Sequence, residues 1–154
     1  MIELVKANLD DVNEMQRLVA DKVKEGIILK REDDEVATNI RSYVVAKDNN
    51  KIIGYGALHI HSTSLAEIRS LIVLSEYQGI GVGKKIVEFT LQEALAIGIK
   101  KVLVLTYVED FFKKLSFKEI KKESIPEHKI WTDCIKCIHF PMCNEKSLIY
   151  IVKE

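Results

Sequence analysis

The chain has 154 residues and a mass of 17.6 kDa, and its 23 basic and 23 acidic side chains leave no formal net charge. One domain spanning 1–154 is the expectation at this length, and a chain of this size buries roughly 70% of its unfolded surface, so folding requires neither disulfide nor metal. The lack of a basic excess argues against a nucleic-acid partner, no apolar run approaches a membrane span, and three cysteines, an odd number, argue against a secreted disulfide framework. The first residues lack the basic start and apolar core of a signal peptide, so a cytoplasmic protein is expected.

Residues 2–6 alternate apolar and polar side chains and read as a strand. Asn8 with Asp11 three positions on resembles a capping box. It opens a helix that carries Val12, Met15, Val19 and Val23 at helical spacing and stops at Gly26. The acidic run Glu32-Asp33-Asp34-Glu35 suits the first turn of a second helix, predicted to run to about Arg41. Residues 43–47 and 51–61 form a predicted hairpin around the turn at 48–50. Residues 65–73 read as a strand with imperfect alternation. Glu67, Arg69, Leu71 and Val73 would share one face, and a bulge near Leu71 would reset the faces. After the segment Gln78-Gly79-Ile80-Gly81-Val82-Gly83 comes a helix with Val87, Leu91 and Leu95 on one face and Gly98 as its stop. A strand at 101–106, a short helix at 109–115, a strand at 117–121 and a terminal strand at 145–152 complete the chain. The order predicts an α/β fold, a mixed sheet with helices on both faces.

The glycine segment carries the most chemistry. Glycines allow close backbone approach and positive φ, and a helix start adds open N–H groups, a combination suited to phosphate. The spacing fits a dinucleotide fingerprint and a P-loop poorly, and a plain glycine turn stays open as the structural reading. The pattern is accompanied, however. Gln78-Gly79-x-Gly81-x-Gly83 after a bulged strand, Ser70-Leu71-Ile72-Val73-x-x-x-Tyr77 before it, and Phe112-Lys113-Lys114-Leu115-Ser116-Phe117 after it resemble the GCN5-related N-acetyltransferase (GNAT) family over nearly the whole chain. Within that family the chain is most similar to short bacterial N-acetylglutamate synthases that lack a kinase domain. The matching stretches are residues 25–31, 56–59, 66–71 and 104–107 and the tail from Trp131 to Cys143.

The resemblance implies a GNAT fold with a bulged central strand at the acetyl-CoA site. It implies acetyl transfer from acetyl-CoA to the α-amine of L-glutamate, the first step of arginine biosynthesis, with acetyl-CoA and a small amino acid as binding partners. The pyrophosphate role falls to the amides of Gly79, Gly81, Val82 and Gly83, with Gln78 and Lys84 beside them. A backbone N–H around Leu71, Ile72 and Val73 would polarise the thioester carbonyl. Glu67 is the candidate base, or else a surface carboxylate paired with Arg69. Many members place a Tyr where this chain has Phe112, which cannot donate a proton. Either Tyr107 acts as a substitute donor, or its ring only packs and the thiolate leaves to be protonated by solvent. Ser116 replaces a usual Gly and would be strained at positive φ. Arg31 and Arg69 suit two carboxylates through bidentate bonding, with Lys30 a weaker candidate. Arg31 has a second reading as a solvated cap of the acidic run. His59 and His61 alternate along one strand face and read as substrate contacts or as surface or core side chains.

Cys134, Cys137 and Cys143 cluster in a tail segment at 128–145. With His128 or His139 they could hold structural zinc or an iron–sulfur cluster, or they are three reduced thiols or include one redox disulfide. Two other functions fit the same residues: a GNAT enzyme for another amino acid or a protein amine, and a non-catalytic acyl-CoA- or metal-binding regulatory module. A homodimer is a family-level expectation.

Overall fold

The computed structural model describes residues 1–121, 124 and 145–152. Strand β1 (Ile2–Lys6) leads to Asn8, whose side chain accepts the Asp10 N–H at 2.9 Å while its own N–H donates to the Asp11 carboxylate at 2.9 Å. This capping box starts a 3-10 turn that continues into α1 (Val12–Lys24), and Gly26 ends the segment at φ +75°. Helix α2 (Asp33–Thr38) begins on the acidic run but stops short of Arg41. The Asn39 amide donates to the Glu35 carbonyl at 2.9 Å, a local side-chain bond that competes with helix continuation, and a 3-10 turn follows.

Strands β2 (Tyr43–Asp48) and β3 (Lys51–Ile60) form the predicted hairpin. Asn49 and Asn50 sit at φ +49° and +71°, the left-handed pair that suits the twist of a two-residue turn. Then come β4 (Leu65–Val73), α3 (Val82–Ile97), β5 (Lys101–Thr106), α4 (Glu109–Lys113), β6 (Lys118–Ile120) and β7 (Lys146–Ile151).

The strands make one sheet in the order β1-β2-β3-β4-β5-β7-β6. Every neighbouring pair is antiparallel except β4 and β5. That parallel pair is short: it joins Leu65 to Lys101 and ends at Ile68 and Val104. Further along, β4 keeps only β3 as a partner and β5 keeps only β7. The sheet therefore opens between their C-terminal ends. On one face α1 and α2 bury Met15, Val19 and Val36 against Tyr43, Val45, Tyr55 and Ile72. On the other, α3 buries Val87 and Ala94 against Leu58, Ala66, Ile68 and Val102, with Phe112 and Phe117 alongside.

Candidate active site

The opening of the sheet coincides with a bulge. Tyr55 pairs with Ile72 and Ala57 pairs with Arg69, so Gly56 alone faces Ser70 and Leu71. Ser70 takes φ +61°. The faces switch there, as the broken alternation predicts. Ala66 and Ile68 pack towards α3 before the bulge, and Leu71 and Val73 do so after it. Ile72 instead joins the core under α1. A bulged residue stands outside the ladder, which exposes backbone polar groups at the rim of the opening.

The opening holds a cleft of about 210 Å³. Its walls come from residues 26–29 and Arg31 after α1, residues 67–71 of β4, residues 104–108 at the end of β5, Phe112 and Glu145. Glu67 is only 2% exposed, which removes the surface reading. Its Oε1 lies 2.8 Å from His61 Nε2, and the His61 side chain is itself buried. The His59 ring stands edge-on to the His61 ring at 4.9 Å.

The Arg31 side chain is only 8% exposed, so it is not a solvated cap, although Nη1 does meet Glu35 Oε2 at 2.7 Å. Gln16 of α1 donates to the Arg31 carbonyl at 2.8 Å and to Asp33 at 3.0 Å, holding this connection in place. Across the sheet, Arg69 lies opposite Ala57, and Ala57 opposite Tyr43. Burial pushes the Tyr43 hydroxyl above its ordinary pKa, while the charges of Arg31 and Arg69 pull it back and Glu35 adds to the rise. Both guanidinium groups therefore act on the same phenol, one from the segment after α1 and the other from β4.

At the β5 end, Thr106 is buried and its Oγ1 accepts the Val108 N–H at 2.9 Å. Tyr107 lines the cleft and is exposed rather than packed. Phe112 is 2% exposed between Phe111 at 5.0 Å and Phe117 at 5.2 Å. Its ring offers no proton. Ser116 does take the positive φ, +73°, that a glycine would carry without strain.

The glycine segment forms a separate rim at the N-terminus of α3. Gly79 and Gly81 have φ +81° and +90°, and a Cβ on either would meet nothing within 4 Å. Conformation, not space, requires glycine at both. Gly83 differs, because a Cβ there would lie 3.4 Å from Phe111 Cζ. Gln78 donates to the Val73 carbonyl at 3.0 Å and ties the turn to the end of β4. The Lys85 N–H reaches the Gly81 carbonyl at 3.1 Å, so the amides of Val82, Gly83 and Lys84 precede that first helical bond.

The cleft thus gathers Glu67, Arg31, Arg69, Leu71 and Tyr107. It does not gather Lys30, which is 71% exposed and 3.5 Å from Glu32. Sequence reasoning missed Ser70, Thr106 and Glu145 as wall residues. Ser70 had a signal in the break in strand alternation and Thr106 one in the 104–107 stretch; Glu145 had none. Cys134, Cys137 and Cys143 lie outside the described residues. Among the described residues no His, Cys, Asp or Glu group is arranged to hold a metal, and no helix is long and apolar enough to cross a membrane.

A mixed sheet that opens beside a bulge, with a glycine turn starting the next helix, defines an acyltransferase type of fold. The model of the Acetyltransferase (GNAT) family matches residues 10–117, and the chain belongs to that family. It is 37% identical over 143 residues to an uncharacterized N-acetyltransferase of Chlorobaculum tepidum, covering 93% of this chain and 92% of that protein. It is 32% identical over 119 residues to the amino-acid acetyltransferase of Mycobacterium tuberculosis, covering 75% of this chain and 68% of that one. In fold it is similar to the N-acetylglutamate synthase of Neisseria gonorrhoeae complexed with coenzyme A and N-acetyl-glutamate. There the TM-score is 0.88 and the identity 18%, and the match covers 100% of this chain but 36% of the synthase.

Proposed function

We propose that the chain transfers the acetyl group of acetyl-CoA to the α-amine of L-glutamate, in the cytoplasm, as the first step of arginine biosynthesis. The observation that carries this reading is the convergence of a buried carboxylate, Glu67, with two arginines, Arg31 and Arg69, in one cleft beside the β4 bulge. Glutamate presents one ammonium and two carboxylates, and the three side chains answer those three charges. The likeness to amino-acid acetyltransferases agrees with it.

The pyrophosphate of acetyl-CoA binds the amides at the start of α3, with Gly79 and Gly81 shaping the turn and the exposed Lys84 adding charge. The backbone at Leu71 and Ile72 polarises the thioester carbonyl as negative charge develops on its oxygen. Arg31 and Arg69 hold the two carboxylates of the acceptor. An α-ammonium has a pKa of about 8, so a modest base suffices. Glu67 takes that proton, the freed nitrogen attacks the carbonyl carbon, and the C–S bond breaks. The departing thiolate takes a proton from Tyr107, which lines the cleft at the end of β5, and the second proton that the nitrogen loses on becoming an amide returns to the tyrosine.

The reading is tested by CoA release with acetyl-CoA and a panel of amino acids, followed by chromatography. Turnover of glutamate well above the others supports it. Turnover confined to other amines overturns the acceptor assignment, and acetyl-CoA binding without turnover of any amine favours a binding module.

A further inference from the structure

Behind the cleft wall, Glu67 is held by a residue that does not itself line the cleft. His61 closes the β3–β4 hairpin: its N–H donates to the Leu65 carbonyl at 2.9 Å. Its Nε2 lies 2.8 Å from Glu67 Oε1, and each side chain is 3% exposed. To receive a proton Glu67 must be ionised, and an ionised carboxylate only accepts hydrogen bonds, so the base role requires the tautomer in which His61 Nε2 carries the hydrogen and donates. Bonds of this charge-assisted kind are short and strong, and both partners are withdrawn from competing water. Carboxylate rotation is broad about its last torsion, so a single anchored oxygen sets the plane of the group. Among the described residues, the other ionisable groups near this pair are His59, whose ring is 4.9 Å from that of His61, and Arg31, Arg69, Tyr107 and Glu145, which line the cleft.

We propose that His61 is a positioning residue for acetyl transfer. It fixes the carboxylate of Glu67 in the orientation that receives the proton of the acceptor amine. The proposal rests on the reading of Glu67 as the base. General bases contribute about 10²–10⁴-fold to rate, and a third group that orients the base secures part of that factor.

The test is a double-mutant cycle on the full chain with acetyl-CoA and L-glutamate. Gln places its amide nitrogen about where Nε2 of His stands, whereas the shorter Asn does not reach. We expect His61→Asn to lower kcat by about tenfold or more, with the KM for acetyl-CoA within about twofold, and His61→Gln to restore most of the loss. In a Glu67→Gln background the His61→Asn change should have little further effect, because coupled groups are not additive. Unaltered kcat in His61→Asn, equal losses in the Asn and Gln variants, or an undiminished loss in the Glu67→Gln background each overturn the proposal. Unaltered kcat in Glu67→Gln alone overturns the base reading instead. Absence of glutamate turnover by the wild type touches only the acceptor assignment, since the cycle then runs on the amine that the panel identifies.

Discussion

Gly54 stands on β3 where a side chain would press on the backbone of the bulge. A Cβ built there lies 2.8 Å from the Ile72 carbonyl oxygen, 3.3 Å from Ile86 Cδ1 and 3.4 Å from Val73 Cα. Even close C–H···O contacts span about 3.3–3.6 Å, so Gly54→Ala forces a separation of about half an ångström. The Ile86 methyl can turn away, but the Ile72 carbonyl belongs to the strand and moves only with it. Overpacking of this kind costs about 1–3 kcal/mol. For a domain of this size about 2 kcal/mol lowers Tm by about 4–8 °C. The displaced backbone includes the amides assigned to the thioester, so the KM for acetyl-CoA or kcat should worsen with stability. Thermal denaturation followed by circular dichroism, with steady-state kinetics below the transition, measures both. Gly98→Ala is the control: Gly98 caps α3 at φ +89°, with nothing within 4 Å of a Cβ. It should cost about 1–2 kcal/mol in left-handed strain and leave the kinetics alone. A Gly54→Ala protein with wild-type Tm and wild-type KM would refute the steric argument.

Three further outcomes are expected. Arg31→Ala should raise the KM for glutamate by about thirtyfold, since a hydrogen bond to a charged group contributes about 2 kcal/mol, and change the KM for acetyl-CoA by less than about twofold. Equal effects on both substrates would count against its role. Ser70→Gly should raise Tm slightly, because relief of the φ of +61°, about 1–2 kcal/mol, exceeds the roughly 0.4–1 kcal/mol that the freedom of glycine costs through the unfolded chain; a fall in Tm would contradict the strain reading. The third concerns pH. The Tyr77 hydroxyl donates to Asp48 at 2.7 Å, which holds the Asp48 carboxyl below its ordinary range and pushes the tyrosine above its own. A depressed carboxyl pKa stabilises the fold above its unfolded value of about 4 and stops doing so as pH falls through the folded value. A raised phenol pKa stabilises below about 10 and stops as pH rises through the folded value. Tyr77→Phe should therefore melt below the wild type at neutral pH, with the gap closing at both acid and alkaline extremes in a series of melts. A gap of constant size across the whole pH series would contradict this bond as its source.

Legibility in the sequence followed the range of the interaction. The Asn8–Asp11 cap, the Asn49-Asn50 turn and the glycine stops are set by neighbours within a few residues, and they stand where the residue pattern puts them. The bulge was legible too, because Glu67 and Arg69 could not share a face with Leu71 and Val73. Helix α2 ended early because Asn39 bonds back to Glu35, a choice that propensity does not reveal. The union of His61 with Glu67 depends on the β3–β4 register and on burial of both side chains, and spacing alone left His61 as one of two alternating histidines. Tyr107 stood between a donor and a packing ring, because it follows an apolar strand. Its exposure comes from β5 parting from β4 beyond Val104, a property of the whole sheet. Glu145 enters the wall from the far end of the chain, and no local pattern announces it.

A crystal structure of the chain with coenzyme A and N-acetyl-L-glutamate would place acceptor and donor against these residues in a single experiment. The account predicts pyrophosphate oxygens on the amides at the start of α3 and the acetyl carbonyl oxygen on a backbone N–H at Leu71 or Ile72. It also predicts the amide nitrogen of the product on the Glu67 side of the cleft and its carboxylates on Arg31 and Arg69. Density for N-acetyl-glutamate outside the cleft, or within it but away from both arginines, would contradict the account.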